Sequence, residues 1–202
     1  MRADVLCIQG SLGHPSRTAV LTELVRRTLE QLGARTDVLD LREHRLPQVD
    51  VRYHGSPEDP PDPAVGDLLH RVRAADAMVW ASPVYHNSYS AALKNALDHL
   101  AIADVRGKPL ALCGNGGRRA SGQAADHLRI VARGLHGIAV PLVTTTADGD
   151  FRRVDGEYRI AARETIERAV AMCQQLLDYT DRFRTAPQDA VGVAAPASEG
   201  AS

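Results

Sequence analysis

Residues 5–18 read VLCIQGSLGHPSRT, a stretch in which a short apolar run leads through glycines into a helical pattern. The run Val5 to Gln9 is nearly continuous in apolar side chains, as expected of a strand buried on both faces of a sheet. The helical pattern begins at Thr18, directly after the loop. This order of strand, loop and helix sets the pattern for the rest of the chain.

Strand and helix patterns continue to alternate after this stretch. Strands are predicted over Val5 to Gln9, Thr36 to Leu41, Ala77 to Ala81, Leu110 to Cys113 and Ile138 to Thr144. Helices are predicted over Thr18 to Leu32, Pro63 to Ala75, Ser90 to Ile102, Ser121 to Leu135 and Glu157 to Phe183. This alternation predicts an α/β fold, a flavodoxin-like doubly wound five-stranded parallel sheet of order 2-1-3-4-5 with helices on both faces.

The length and composition predict one domain. With 202 residues and 44% apolar residues, the chain can build a full core, which we expect over residues 1–185. Residues 186–202 are rich in Ala, Pro, Ser and Gly without periodicity, and we expect a disordered tail there. The loop from Arg52 to Pro63 either covers a site or connects the second strand to its helix.

Charge and cysteine usage argue against several classes of function. A formal net charge of −1 gives no reason to expect nucleic acid as a partner. The N-terminus carries no signal-peptide pattern and no apolar stretch is long enough to span a bilayer, so we expect a cytoplasmic protein without membrane contact. The three cysteines form no CxxC pair, and neither a disulfide framework nor a metal site is expected.

The loop after the first strand, residues 10–18, has the composition of an anion site. Its glycines permit a tight turn, the following helix offers unpaired N–H groups, and its hydroxyl side chains add donors. Arg17 adds a fixed charge that can hold a phosphate through two hydrogen bonds. Because GxGxxG and GK[ST] are both absent, a monophosphate suits the loop better than a pyrophosphate. The alternative is that Ser16 only caps the helix and Arg17 is solvated.

The loop after the third strand opens the stretch SPVYHNSYSAALKNALDHL, residues 82–100. Pro83 stiffens the chain, the two tyrosines Tyr85 and Tyr89 offer flat surfaces, and His86 and Asn87 offer donors. Rings and polar groups together at a strand end favour a flat heteroaromatic ligand. The alternative is that both tyrosines only pack against the protein.

The loop after the fourth strand reads CGNGGRR, residues 113–119. Its clustered glycines expose backbone N–H groups and allow a planar ligand to approach closely. Arg118 or Arg119 could instead meet the phosphates of a second nucleotide, and a plain solvent-exposed turn is the third possibility.

The motifs GSLGHPSRT and SPVYHNSYSAALKNALDHL together resemble the NADPH-dependent FMN reductase family. The resemblance runs over roughly residues 4 to 145, and the PSR[ST] and PVYxxxYS variants are most similar to flavin reductases of two-component monooxygenase systems. It implies an NAD(P)H-dependent enzyme that uses FMN and NADPH or NADH, with the hydride chemistry carried by the cofactor and no catalytic side chain.

The resemblance also implies the site residues. Those implied to hold the FMN phosphate are Ser11, Ser16, Arg17 and Thr18. Those implied to run along the flavin are Pro83, Val84, Tyr85, His86 and Asn87 on the second loop and Gly114, Asn115, Gly116 and Gly117 on the third. Tyr89 and Arg118 are implied to contact substrate.

Two residues depart from the family pattern. Many members have Arg where this chain has Gly13, so one phosphate contact is missing, and the monooxygenase-linked members often have Lys where His86 stands. Both departures affect cofactor affinity and substrate preference rather than the fold.

The resemblance implies that reduced flavin is supplied to a partner monooxygenase and that the chain forms a homodimer or homotetramer through the Ser90 to Leu100 helix. Three alternatives stay open: an FMN-dependent reductase of quinones, azo dyes or nitro compounds, a specialised biosynthetic flavoenzyme, and a flavodoxin-type electron carrier without enzyme activity.

Overall fold

A computed structural model describes residues 2–52, 62–117 and 122–184, and these form a parallel sheet flanked by helices. The sheet consists of β1 (Asp4–Gln9), β2 (Arg35–Asp40), β3 (Ala77–Pro83), β4 (Pro109–Asn115) and β5 (Ile138–Thr146). Its strand order is β2-β1-β3-β4-β5 with every pair parallel, which confirms the predicted topology.

Six helices accompany the sheet in the described part of the chain. They are α1 (Arg17–Gln31), α2 (Pro63–Ala74), α3 (Ala91–Asp98), α4 (Ile102–Val105), α5 (Gln123–Gly134) and α6 (Arg163–Arg184). Of these, α2, α3 and α5 cover one face of the sheet, and α1 and α6 cover the other. None of the helices in the described ranges is long and apolar enough to cross a membrane.

The central strand β3 shows why both faces need a helical layer. All seven of its residues are buried. Met78 and Trp80 contribute to the core under α2, α3 and α5, whereas Val79 and Ala81 contribute to the core under α1 and α6. Because successive side chains of a strand point to opposite faces, an apolar run without alternation fits only a sheet that is buried on both sides.

The structure corrects the prediction of one long helix from Glu157 to Phe183. Residues Phe151–Val154 and Glu157–Ile160 instead form the antiparallel strands β6 and β7, and α6 begins only at Arg163. Between the strands, Asp155 and Gly156 both have positive φ, at 52° and 83°. A two-residue turn of this kind fits the twist of a β-hairpin, and Asp-Gly is one of the sequences that favour it.

The predicted helix from Ser90 to Ile102 is divided in two. Ser90 caps α3, which ends at Asp98. The carboxylate of Asp104 then accepts a hydrogen bond from the Ala101 backbone N–H, at 2.8 Å, and so caps the start of the short helix α4. This bond pairs a backbone N–H at the start of a second helix, which is therefore separate from α3.

Several predictions lie outside the described residues. They concern Ser121 at the start of the fourth predicted helix, residues 53–61 of the loop before α2, and the tail over residues 186–202. The helix α2 itself begins as predicted at Pro63, with Asp62 as its cap.

Candidate functional site

The three predicted site loops meet at one edge of the sheet. They follow β1, β3 and β4, which are neighbours in the sheet, so their carboxyl ends lie side by side. The Gly10 N–H donates to the Ala81 carbonyl at 2.8 Å, and the Val84 N–H donates to the Asn115 carbonyl at 2.8 Å. The backbone thus ties each loop to its neighbouring strand, at the position where doubly wound folds bind ligands.

The first loop, residues 10–18 with the first residues of α1 and here named the phosphate loop, begins at a glycine that the packing requires. A Cβ atom on Gly10 would lie 2.8 Å from Leu93 Cβ and 3.1 Å from the Ala81 carbonyl oxygen. The Ser90 hydroxyl also donates to the Gly10 carbonyl, at 2.6 Å. The start of the phosphate loop is therefore pressed against the N-terminus of α3.

A buried glutamine, which sequence reasoning missed, fixes the same turn. Gln9 is 1% exposed, and its amide nitrogen donates to the Ser11 carbonyl at 3.1 Å and to Asp40 Oδ1 at 2.9 Å. Its amide oxygen accepts a hydrogen bond from the Ser11 N–H. Its position at the end of an otherwise apolar strand could have indicated this role. A buried amide needs hydrogen-bond partners to offset its desolvation, and the adjoining loop supplies them.

The end of the phosphate loop carries backbone donors at the start of α1. Ser16 caps α1 by accepting a hydrogen bond from the Ala19 N–H at 3.1 Å. The helix-capping role that the sequence offered as an alternative for Ser16 is thus present. The backbone N–H groups of Arg17 and Thr18 have no acceptor among the described residues. Ser11 is nearly buried beside them and accepts a long contact of 3.4 Å from the Gly13 N–H. Unpaired amides at a helix N-terminus favour an anion.

The structure does not leave the Arg17 side chain in solvent. Its Nη1 atom lies 3.0 Å from Asp148 Oδ1, and its Cζ atom lies 4.4 Å from the centroid of the Tyr158 ring. Its Nε–H is buried without an acceptor among the described residues. A buried N–H of this kind is costly to leave unpaired, so the arginine suits an additional acceptor such as a phosphate oxygen.

The donors of the phosphate loop suit a phosphate monoester. The two free amides, the unpaired Nε–H and the Ser11 hydroxyl are all donors, and the Arg17 guanidinium, paired on one side with Asp148, is the cation beside them. A doubly charged phosphate supplies acceptors for this set. Ser11 lies on this loop and Ser16, Arg17 and Thr18 lie at the start of α1, and their donors fit the group.

The second loop forms a tight turn with backbone strain. Tyr85 and Ser88 exchange two backbone hydrogen bonds, of 2.8 and 2.9 Å, around His86 and Asn87. His86 and Asn87 both have positive φ, at 48° and 64°. Non-glycine residues rarely adopt this conformation, and it is found preferentially at ligand sites. The Tyr85 side chain is 54% exposed, so its surface is available to a planar ligand.

Side chains hold the base of this turn, here named the tyrosine turn (residues 85–88). The Ser82 hydroxyl accepts from the Ser90 N–H at 2.8 Å and donates to the Pro83 carbonyl at 2.8 Å. Ser88 Oγ lies 3.0 Å from His127 Nδ1 on α5. Tyr89, predicted to contact substrate, packs against the core under α2, α3 and α5.

The third loop is tied to the end of β5. The Gly116 N–H donates to the Thr146 carbonyl at 2.8 Å, and the Thr146 hydroxyl donates to Asn115 Oδ1 at 2.9 Å. Gly114 and Gly116 are buried, whereas Gly117 is exposed and its carbonyl accepts from the Asp148 N–H at 2.7 Å. This last bond connects the third loop to the residue that pairs with Arg17. Arg118 lies outside the described residues.

No side chain in the described part of these loops is placed as an activated nucleophile. Cys113 directly precedes the third loop, but burial raises the pKa of its thiol well above the usual value. The thiol is therefore protonated and unreactive near neutral pH. In the described ranges no three His, Cys, Asp or Glu side chains group to hold a metal ion. The arrangement can bind and orient a ligand and can stabilise negative charge on it.

Comparisons with known proteins give this geometry a context. The sequence model of the family described as NADPH-dependent FMN reductase matches residues 3–151. The chain is 37% identical over 175 residues to an FMN-dependent NADPH-azoreductase of Staphylococcus saprophyticus, covering 86% of this chain and 93% of that protein.

Two solved structures share the fold. One is the flavoenzyme NAD(P)H:(acceptor) oxidoreductase FerB from Paracoccus denitrificans, with a TM-score of 0.72 and 19% identity over 90% of this chain and 98% of that one. The other is a flavodoxin of Streptococcus pneumonia TIGR4, with a TM-score of 0.53 and 17% identity over 88% of this chain and 99% of that one.

Proposed function

The chain belongs to the NADPH-dependent FMN reductase family, and from this premise we propose that it binds FMN across the three loops and passes electrons from NADPH to a diffusible aromatic acceptor. The observation that carries the proposal is the phosphate loop, whose unpaired donors and Arg17 fit the one charged group of FMN. The protein is an oxidoreductase, and FMN and NADPH are its cofactors.

The chain's own residues have three tasks in this proposal. The phosphate loop holds the flavin by its phosphate, through Ser11, Ser16, Arg17 and Thr18. The exposed Tyr85 ring and the backbone of Pro83, Val84, His86 and Asn87 orient the flavin ring. The Gly117 N–H of the third loop, which has no acceptor among the described residues, stabilises negative charge at the polar edge of that ring. FMN, when bound, supplies the hydride acceptance that no side chain of the protein offers.

An aromatic acceptor of the azo or quinone class is the first candidate. The azoreductase of Staphylococcus saprophyticus supports it, because this chain covers 93% of that protein at 37% identity. A phosphate loop fixed by Gln9 and Gly10 also favours a flavin that stays bound between turnovers over one that leaves.

The second candidate is the delivery of reduced flavin to a partner monooxygenase. The PSR[ST] and PVYxxxYS variants of the sequence favour it. Tyr89, the second tyrosine of PVYxxxYS, packs against the protein core, however, and this favours the first candidate. The absence of Arg at position 13 supports weaker FMN retention and thus the second.

Steady-state turnover separates the two candidates. Purified protein loaded with FMN is mixed anaerobically with NADPH and one of three acceptors: menadione, methyl red or excess free FMN. We expect menadione or methyl red to be reduced faster than free FMN. Faster turnover with free FMN would favour the monooxygenase-linked reading, and no NADPH oxidation with any acceptor would contradict both.

A homodimer or homotetramer remains a proposal from the resemblance. The Ser90 to Leu100 segment is covered on one side by the chain itself, since the Pro47 carbonyl accepts hydrogen bonds from Asn95 at 2.8 Å and from His99 at 3.0 Å. A second copy would therefore contact the sides of α3 that residues 47–49 leave open. Light scattering at micromolar concentration tests the oligomer, and a monomer would contradict it.

A further inference from the structure

The hairpin of β6 and β7 lies against the N-terminus of α1, where the phosphate loop ends. Tyr158 on β7 stands opposite Arg153 on β6, so both point to the same face of the hairpin. On that face the Arg17 guanidinium lies 4.4 Å from the Tyr158 ring centroid. This distance is well within the range at which an arginine is attracted to an aromatic face.

Two further contacts fix this arrangement. Asp148 Oδ1 lies 3.0 Å from Arg17 Nη1 and so sets the rotation of the guanidinium plane above the ring. Phe151 meets Tyr158 edge to face, with 6.2 Å between ring centroids, and supports the ring from within the hairpin. Arg17 is thus held in one orientation before any ligand arrives.

The orientation leaves one donor of Arg17 unpaired among the described residues. Nη1 is committed to Asp148, whereas Nε has no acceptor among the described residues. A flexible arginine must lose rotamer freedom when it grips a phosphate, and an arginine that is already held loses less. The gain from the hairpin contacts should therefore appear as affinity for the phosphate and for no other part of the ligand.

We propose that Tyr158 is a positioning residue, whose ring holds Arg17 in place for the 5′-phosphate of the flavin. The inference rests on the proposed function for the identity of the ligand. It assigns a role to a hairpin that lies almost wholly beyond residues 3–151, the part of the chain that the family model matches. Phosphate recognition in this chain then depends on a segment far from the phosphate loop in sequence.

Comparing FMN with riboflavin tests the proposal, because riboflavin lacks only the phosphate. Dissociation constants for both flavins are measured by quenching of flavin fluorescence with the wild-type chain, Tyr158→Leu, Tyr158→Phe and Arg152→Gln. We expect Tyr158→Leu to weaken FMN about tenfold and leave riboflavin unchanged. Tyr158→Phe keeps the aromatic face and should bind FMN as the wild type does.

Arg152→Gln is the matched control. It removes a positive charge from the same hairpin, but Arg152 pairs with Arg159 and points to the opposite face from Tyr158. It should leave both affinities within about twofold of wild type, because an exposed charge is screened by salt. A loss of FMN affinity equal to that of Tyr158→Leu would show that net charge, not the ring, is responsible, and would overturn the proposal.

A double substitution shows whether Tyr158 acts through Arg17. In an Arg17→Met chain, adding Tyr158→Leu should weaken FMN no further, since the group that the ring positions is already gone. An additional tenfold loss would overturn the proposal. Tyr158→Thr, a residue suited to strands, serves as a second variant if Tyr158→Leu does not fold, and riboflavin binding reports on the integrity of either.

The outcomes separate this proposal from the proposed function. A wild-type chain that binds FMN more tightly than riboflavin, together with Tyr158 variants that keep the wild-type ratio of the two affinities, overturns the positioning role alone. A wild-type chain that binds neither flavin overturns the proposed function and the positioning role with it.

Discussion

The phosphate loop and the tyrosine turn follow neighbouring strands at the same end of the sheet, but they are held in different ways. The phosphate loop is fixed by its surroundings, with Gly10 pressed against α3 and Gln9 bonded on both sides. The tyrosine turn is closed by two hydrogen bonds within itself, around His86 and Asn87 in a strained conformation, and side chains hold only its base.

The difference follows from what each region would bind. Donors that stabilise a charge are effective only if they are fixed in advance, so the phosphate loop needs tight packing. A flat ring is bound by a surface, and a turn that projects an exposed tyrosine is sufficient for that. The phosphate loop should therefore be sensitive to volume and charge, and the tyrosine turn to aromatic area.

Breaking the packing of the phosphate loop should have the largest effect. In Gly10→Val, the new side chain collides with Leu93 and the Ala81 carbonyl, and we expect the free energy of unfolding to fall by about 3 kcal/mol. Urea unfolding followed by circular dichroism measures the change. Gly13→Ala is the matched control, because its Cβ would approach no atom closer than 3.8 Å, and it should change stability little. Equal stability of Gly10→Val and wild type would contradict the close packing.

Adding a positive charge to the phosphate loop should strengthen the binding of FMN but not that of riboflavin. Gly13→Arg supplies the guanidinium that many family members carry at this position, where space is available. We expect FMN to bind about tenfold more tightly and riboflavin to bind as before. Gly13→Met, similar in length but uncharged, should bind both flavins as wild type does. Tighter binding of riboflavin by Gly13→Arg would place the phosphate elsewhere.

Removing the exposed ring tests the tyrosine turn. We expect Tyr85→Ala to weaken FMN and riboflavin by the same factor, about fivefold, because both ligands have the same ring system. Tyr85→Phe should keep most of the affinity. Isothermal titration with the two flavins gives both constants, and a loss confined to FMN would mean that Tyr85 faces the phosphate rather than the ring.

Relieving the strain in the tyrosine turn should have the smallest effect. His86 has a φ of 48°, which glycine adopts without steric cost, so His86→Gly should raise the free energy of unfolding by about 0.5 kcal/mol. Asn87→Gly should gain less, because asparagine tolerates this conformation better than histidine. Thermal unfolding of both variants checks the order. A destabilised His86→Gly would show that the side chain, and not the backbone, stabilises the turn.

The sequence was sufficient to predict the sheet and the position of the loops. Continuous apolar strands and the Gly10 to Ser16 segment are local patterns, and local patterns can be read without a structure. The Asp155-Gly156 turn was also readable, since Asp-Gly lies between FRRV and EYRI, but the helical spacing that follows obscured it.

The contacts of Arg17 could not be predicted in the same way. Asp148 and Tyr158 lie far from Arg17 in sequence, and no periodicity relates them. Their approach depends on the hairpin that follows β5, and thus on the packing of α1 beside the β6–β7 hairpin. Motifs predict the phosphate loop, whereas tertiary packing determines how Arg17 is oriented.

The most direct test of the account is an anaerobic titration of the FMN-loaded chain with NADPH, followed by the visible absorbance of the bound flavin. We expect about one equivalent of NADPH to remove the absorbance of the oxidised flavin, and menadione to restore it. Bound flavin whose absorbance stays unchanged with excess NADPH would contradict the claim that these three loops place FMN for reduction by NADPH.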